Sequence, residues 1–255
     1  MFYMLKRHPF PVTAFFRQSL VLTYAFPSAV LQPLLPPGLV LDTYGEYGFL
    51  AIAMVQTERL RPSFLPAILG RDSFLSGYRI FTRRASKAGS LRGLRILRSD
   101  TNDRWMARAG NMLTHYRYRL CHAEVSERPG EIAWNIRTPR QEADLRVIAH
   151  IGQDPAPLPA GSPFLNAKDA RRFAGPLPYT FDYEAETHSI IRIQGIRRDW
   201  NPNPVAVEVL ENSFLRQEPF CRARPILANA FHVHDIPYRW QRGIRTPLEA
   251  YDQQH

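Results

Sequence analysis

Cysteine and lysine are scarce in this chain of 255 residues. Its two cysteines, Cys121 and Cys221, stand far apart with no CxxC or CxxxC spacing. That argues against a disulfide-stapled scaffold or a local thiolate metal site, and reads as two reduced thiols. Lysine occurs only as Lys6, Lys87 and Lys168, so nearly all of the 33 basic side chains are arginine. No apolar run approaches the roughly 18 residues of a membrane-crossing helix, and the mean hydropathy is −0.31. Lys6 and Arg7 precede apolar residues, but Arg17 and Gln18 interrupt them too early for a secretory leader. Reduced thiols without a leader make a cytoplasmic location the expectation. Also missing are a G-x-S-x-G elbow, a P-loop and a G-x-G-x-x-G turn. Triad hydrolysis and nucleotide cofactors are therefore disfavoured, and no cofactor is expected.

What is present belongs to a folded domain: 45% hydrophobic residues and 12% aromatics. The length suits one large domain or two small ones. The formal charge is +10, and its distribution is uneven. Between Arg79 and Arg119 lie eleven basic residues against only Asp100 and Asp103, nearly the whole excess. Codon bias can favour arginine throughout a chain but does not gather it in one segment. The clustering implies a positive surface or a positively lined cavity.

The periodicity is mostly that of strands. Period-two or continuous apolar patterns mark 18–26, 48–60, 74–83, 91–99, 116–125, 131–138 and 145–151, then 188–197, 205–211 and 228–238. Gly45 and Gly48, Gly89 and Gly93, and Pro129-Gly130 read as turns, the last as a hairpin tip. Three helices are predicted. One is a stub at 29–35, capped by Ser28 and ended by Pro36-Pro37. The second is 103–114, with Trp105, Met106, Ala109, Met112 and Leu113 on one face. The third is 166–174, short and basic. The proline-rich run 153–163 reads as a surface loop within a single domain spanning 1–255, not as a linker between two.

The stretch Tyr24–Asp42 and the apolar strand Gly48–Val55 that follows it resemble the opening of the YqjF-like uncharacterised family. Its features are a strand, a stub helix ended by Leu-Leu-Pro-Pro-Gly-Leu, and a buried strand. That family is similar to acetoacetate decarboxylase. Further landmarks are Arg79 on the strand 74–82, the strand–turn–helix unit 94–116, and more loosely 171–182 and 195–200. The resemblance implies a mainly β, conical barrel of the acetoacetate decarboxylase type, with two or three flanking helices around a small cavity. In the decarboxylase a paired-lysine motif in the strand–helix region supplies a Schiff-base amine. The corresponding region here, Ser99–Tyr116, has no lysine. An imine needs an amine neutral at working pH, so decarboxylation through a lysine imine is not expected.

The candidate site falls in this same region. Arg104, Arg108, Asn111 and His115 recur at helical spacing as one polar stripe, readable as a solvated face or as a cavity wall. As a wall, Arg79, Arg104, Arg108, Asn111 and Tyr116 bind a small carboxylate or carbonyl compound, with His115 and Asp100 as catalytic acid–base groups. His232-Val-His234 puts two imidazoles on one strand face, but no local motif adds a third ligand, so no metal is expected. Two alternatives stand beside an enzyme: a barrel that binds a ligand without converting it, and, less favoured, a basic nucleic-acid-binding protein whose arginines alternate with aromatics. The sequence leaves the oligomeric state open, a homo-oligomer included.

Overall fold

A computed structural model describes residues 2–86, 89–152 and 156–248. The strands are β1 (Val12–Pro27), β2 (Val40–Leu41), β3 (Tyr47–Pro62), β4 (Arg71–Ser86), β5 (Gly89–Thr101), β6 (Tyr118–Leu120), β7 (His122–Arg128) and β8 (Glu131–Arg137). They continue as β9 (Leu145–His150), β10 (Tyr179–Glu184), β11 (Ser189–Arg197), β12 (Asn203–Pro204), β13 (Ala206–Asn212), β14 (Ile226–Trp240) and β15 (Ile244–Pro247). The α-helices among the described residues are α1 (Ser28–Leu31), α2 (Arg104–Leu113) and α3 (Ala167–Ala174).

The protein is mainly β, as the periodicity implies. Strands β14, β1, β3, β4, β5, β10 and β11 are neighbours in that order. The ring closes where Gly195–Arg197 of β11 pairs antiparallel with Tyr238–Trp240 of β14. A second sheet, in the order β13-β9-β8-β7, covers one outer flank of this barrel.

Strict alternation along the long strands makes both layers. In β3, Leu50, Ile52 and Met54 point outward into a core shared with Trp134, Leu145 and Val147 of the covering sheet. Ala51, Ala53 and Val55 point inward to the barrel cavity. Neighbouring β1 repeats this with Leu20 and Leu22 outward and Ser19 and Val21 inward, and β4 with Tyr78 and Ile80 outward and Arg79 and Phe81 inward. The continuous apolar run 48–55 thus has cover on both faces, as a doubly buried strand needs. Each large outward side chain fully withdrawn from water contributes about 1.5–3 kcal/mol.

Helix ends follow their caps. Asp103 Oδ1 accepts from the Trp105 backbone N–H at 2.7 Å and starts α2, and Asn166 caps α3 in the same way. Ser28 departs from its predicted role. It is the first helical residue of α1, Pro27 holds the cap position, and no side chain caps it.

Several other expectations are revised. Predicted strand 116–125 is two short strands in different sheets, β6 beside β5 and β7 beside β8. Gly93 is no turn but lies within β5, where an added Cβ would meet the Phe181 ring and the Tyr179 carbonyl at 2.5 and 2.7 Å. That close approach lets β5 and β10 pair in parallel over three residues. The predicted apolar face of α2 is not buried: Trp105, Ala109 and Met112 are exposed, and only Ala107 and Gly110 are buried. Pro129-Gly130 does form the hairpin tip between β7 and β8. Part of the loop 153–163 lies outside the described residues.

The contact between sheet and barrel should dominate stability. Trp134 is fully buried against Phe74. Trp134→Ala is expected to lower unfolding free energy by about 3–5 kcal/mol, read as a lower urea midpoint at unchanged slope. A loss under 1 kcal/mol would mean that the covering sheet is not held through this residue.

Candidate functional site

Many inward side chains on β1, β3 and β4 are small, and their register explains the space inside the barrel. Val21 pairs with Ala53, Ala53 with Gly77, and Gly77 with Ser99. One step along, Ala51 pairs with Arg79. Where other barrels of this width place large side chains, this layer leaves a cavity of about 110 Å³. Gly77 also makes room for the neighbouring arginine, since a Cβ there would stand 2.7 Å from Arg79 Nε.

The cavity wall carries two guanidiniums, Arg79 and Arg197, and no aspartate, glutamate, lysine or histidine. Arg197 Nη2 donates to the Pro176 carbonyl at 2.6 Å, and its guanidinium sits 5.0 Å over the Trp200 ring. Burial lowers the Arg197 pKa; the Tyr238 phenol beside it favours the charge, and Arg79 opposes it. Gly195 lies so close to the Tyr238 hydroxyl that a side chain there would displace it. Tyr116 is buried, and burial pushes its phenol well above the ordinary value of 10, so it is a neutral donor. Three buried donors on this wall have no hydrogen-bond partner among the described residues: Arg79 Nε, Tyr116 Oη and Trp200 Nε1. Buried polar groups are nearly always paired, so three unpaired donors on residues of one cavity wall are an unusual feature.

Arg79 and Tyr116 are therefore brought together, whereas the rest of the predicted set lies elsewhere. Arg104 and Arg108 are exposed on the outer side of α2, Arg108 resting over the Trp105 ring at 5.5 Å. Exposed Asn111 donates to the Tyr118 carbonyl at 2.9 Å, fastening α2 to β6. His115 leaves α2 on the opposite side from Tyr116, in a surface depression with Lys6, Arg117 and Glu186. Its Nε2 is 4.0 Å from Glu184. Burial lowers its pKa, and Asp182 and Glu184 pull the other way.

Asp100 is fully buried just behind the wall. It accepts from Arg98 Nε at 2.9 Å and from Ser76 Oγ at 3.3 Å, and Ser76 itself lines the cavity. Burial raises its pKa while Arg98 opposes the rise. His232 and His234 do share a strand face, with ring centroids 5.7 Å apart. Buried His232 is held near a pKa of about 4, chiefly by desolvation. Among the described residues no three His, Cys, Asp or Glu side chains form a group able to hold a metal.

Much of the basic segment 79–119 is ion-paired. Arg83 and Arg92 share buried Asp42, Arg95 holds Asp182 at 2.7 Å, and Arg98 and Arg119 meet Glu142. The apolar face of α2 borders a separate groove of about 230 Å³ with Phe10, Leu60 and Leu69; this groove shares Tyr116, Tyr118 and Trp240 with the cavity wall. Sequence reasoning missed Arg197, Trp200 and Tyr238. A signal existed in the run Gly195-Ile-Arg-Arg-Asp-Trp200, where an arginine precedes a tryptophan by three residues as a strand ends.

Residues 13–235 match the family model described as an uncharacterized conserved protein, DUF2071. The chain belongs to this family. Its fold is similar to that of an acetoacetate decarboxylase-like enzyme from Sphingomonas wittichii RW1, with 14% identity, 95% of this chain and 94% of that one covered, and a TM-score of 0.59. It is likewise similar to acetoacetate decarboxylase from Legionella pneumophila, with 12% identity, coverage of 93% and 88%, and a TM-score of 0.61. The enduracididine biosynthesis enzyme MppR complexed with pyruvate is a third neighbour, at 10% identity, coverage of 93% and 90%, and a TM-score of 0.58. No curated protein matches the sequence. At these identities the likeness shows the fold, and the expectation of an acetoacetate decarboxylase-like barrel holds. No helix among the described residues is long and apolar enough to cross a membrane.

The buried pair behind the wall can be tested. Arg98→Met removes the cation from buried Asp100 and is expected to destabilise the fold by about 3–5 kcal/mol at pH 7. A buried carboxyl whose folded pKa lies above its unfolded value binds more protons when folded, so acid favours the folded state. The gap between wild type and variant should therefore narrow as pH falls from 7 toward 5 in urea titrations. Adding Asp100→Asn should remove that pH dependence. A gap independent of pH would show that Asp100 is not the group left unpaired.

Proposed function

We propose that the barrel cavity of this DUF2071 protein binds a small carboxylate or carbonyl compound. The observation that carries this reading is the presence on one cavity wall, with Arg197, of Arg79 Nε, Tyr116 Oη and Trp200 Nε1, buried donors with no partner among the described residues. An oxygen-rich small molecule satisfies all of them at once, and a guanidinium can clamp a carboxylate bidentately. A fold neighbour is described with pyruvate bound, which supports a ligand of this size and kind.

The wall constrains the chemistry. Arginine stays protonated and polarises or binds an oxygen but offers no nucleophilic amine. No lysine lines the cavity; Lys6 and Lys168 are exposed, and Lys87 lies outside the described residues. Imine decarboxylation is accordingly not part of the proposal. If turnover occurs, Tyr116 is the neutral hydrogen-bond donor within the cavity, and Asp100 is the acid–base group reached through Ser76. His115, facing the outer depression, is a weaker candidate. The ligand-binding barrel without turnover shares the same binding step. For nucleic acid, the pairing of Arg83, Arg92, Arg95, Arg98 and Arg119 with carboxylates removes much of the phosphate-binding surface that the sequence suggested.

A thermal-shift screen of keto, hydroxy and short fatty acids, with heparin included, tests the reading. Small acids at millimolar concentration are expected to raise the Tm by a few degrees. Arg79→Gln should abolish that response. A response to heparin alone, lost with salt, would overturn the pocket in favour of polyanion binding. Gly77→Val should push the Arg79 guanidinium from its place and weaken acid binding at least tenfold while the circular dichroism spectrum stays that of wild type. Unchanged affinity would remove Arg79 from the site. Borohydride reduction with a keto acid is expected to leave the intact mass unchanged; an adduct on Lys87 or Lys168 would restore imine chemistry.

A further inference from the structure

Four other buried or half-buried arginines of the barrel region face a carboxylate, which the cavity pair do not. Arg98 is held by Asp100 at 2.7 Å, Arg95 by Asp182 at 2.7 Å and Arg7 by Glu184 at 2.6 Å. Arg92 is held by Asp42 at 2.5 Å. For Arg79 and Arg197 no ion pair with an acidic side chain occurs among the described residues, and no other charged side chain lines the cavity. Two like charges thus share one low-dielectric space with no opposing charge. Withdrawing even one ion from water is costly unless a partner compensates it, and a second cation nearby adds repulsion. A ligand with a single negative charge compensates only one of them.

We infer that the cavity selects small dicarboxylates, one carboxylate meeting Arg79 with Tyr116 and the other meeting Arg197 with Trp200. This rests on the small-acid reading of the cavity and names its ligand class. Each end of the site then has a cation and an orphaned neutral donor, and both are satisfied by the two oxygens of one carboxylate. The same wall also carries Val21, Ala51, Phe81 and Leu94, apolar surface that suits a short carbon chain. A compact inorganic dianion such as phosphate has no carbon chain to place against that surface. The burial that lowers the Arg197 pKa, and the opposing influence of Arg79 on it, accord with a site whose second cation lacks a counter-charge in the protein.

Isothermal titration with matched probes tests this: succinate and glutarate, their monomethyl esters, butyrate, and inorganic phosphate, all at pH 7.5 and fixed ionic strength. Diacids are expected to bind at least tenfold more tightly than the monoesters or butyrate, with phosphate weaker than either diacid. Arg79→Gln and Arg197→Gln should each lower diacid affinity tenfold or more and bring it level with that of butyrate. Arg79→Lys and Arg197→Lys keep the charge and should retain part of the preference, which separates loss of charge from loss of fold. Equal binding of butyrate and succinate by wild type would overturn the dicarboxylate assignment and leave the small-acid pocket standing. Binding of phosphate alone would overturn the carboxylate class. Binding of none of these acids would overturn the pocket reading as well as this one.

Discussion

The protein depends on one constraint, the alternation of small and large side chains along β1, β3 and β4. Leu20, Leu22, Leu50, Ile52, Met54, Tyr78 and Ile80 on the outer faces leave water only because a second sheet brings Trp134, Leu145 and Val147 to them. On the same strands Ser19, Val21, Ala51, Ala53 and Gly77 are too small to fill the barrel from inside. Stability is thus gathered outside the ring and space is left within it. A uniform pattern of large residues on both faces would give a filled barrel with no site.

That division of labour frees the interior for charge. Arg79 lies in register with Ala51 and lodges over Gly77, so its guanidinium is accommodated by what the neighbouring strands lack. Arg197 comes from the strand that closes the ring, one residue from Ile196, and is steadied by Pro176, Trp200 and Tyr238. Ring closure and site assembly are therefore one event: the pairing of Gly195–Arg197 with Tyr238–Trp240 shuts the barrel and delivers the second cation. Arg83, Arg92, Arg95 and Arg98 are structural instead, tying β4, β5, β10 and the loops together through Asp42, Asp100 and Asp182.

In the proposed function this arrangement does not use lysine-imine chemistry, although the fold is shared. An imine-forming site requires a desolvated amine, whereas the cavity here offers permanently charged guanidiniums and neutral hydroxyl and indole donors. In the proposed function such a wall binds and orients a small acid. The fold, similar to that of acetoacetate decarboxylase, supplies the vessel, and in the proposed function the residues lining it set the chemistry.

Local sequence determined what local physics controls. Period-two patterns identified nearly all the long strands, Asp103 and Asn166 marked the helix starts, and Pro129-Gly130 marked a hairpin, because backbone preferences and capping act over a few residues. The short strands β10 and β15 escape the periodicity, and the apolar face of α2 borders an open groove. Its apolar spacing was real, but whether a neighbour covers it is decided by distant elements. The site shows the same boundary. Arg79 and Tyr116 were legible as candidates, yet the helical stripe that seemed to accompany them faces outward. Arg197, Trp200 and Tyr238, more than a hundred residues away, complete the wall instead. Spacing along a chain reports which side chains share a face of one element; only the closed ring of strands decides which faces meet around a cavity.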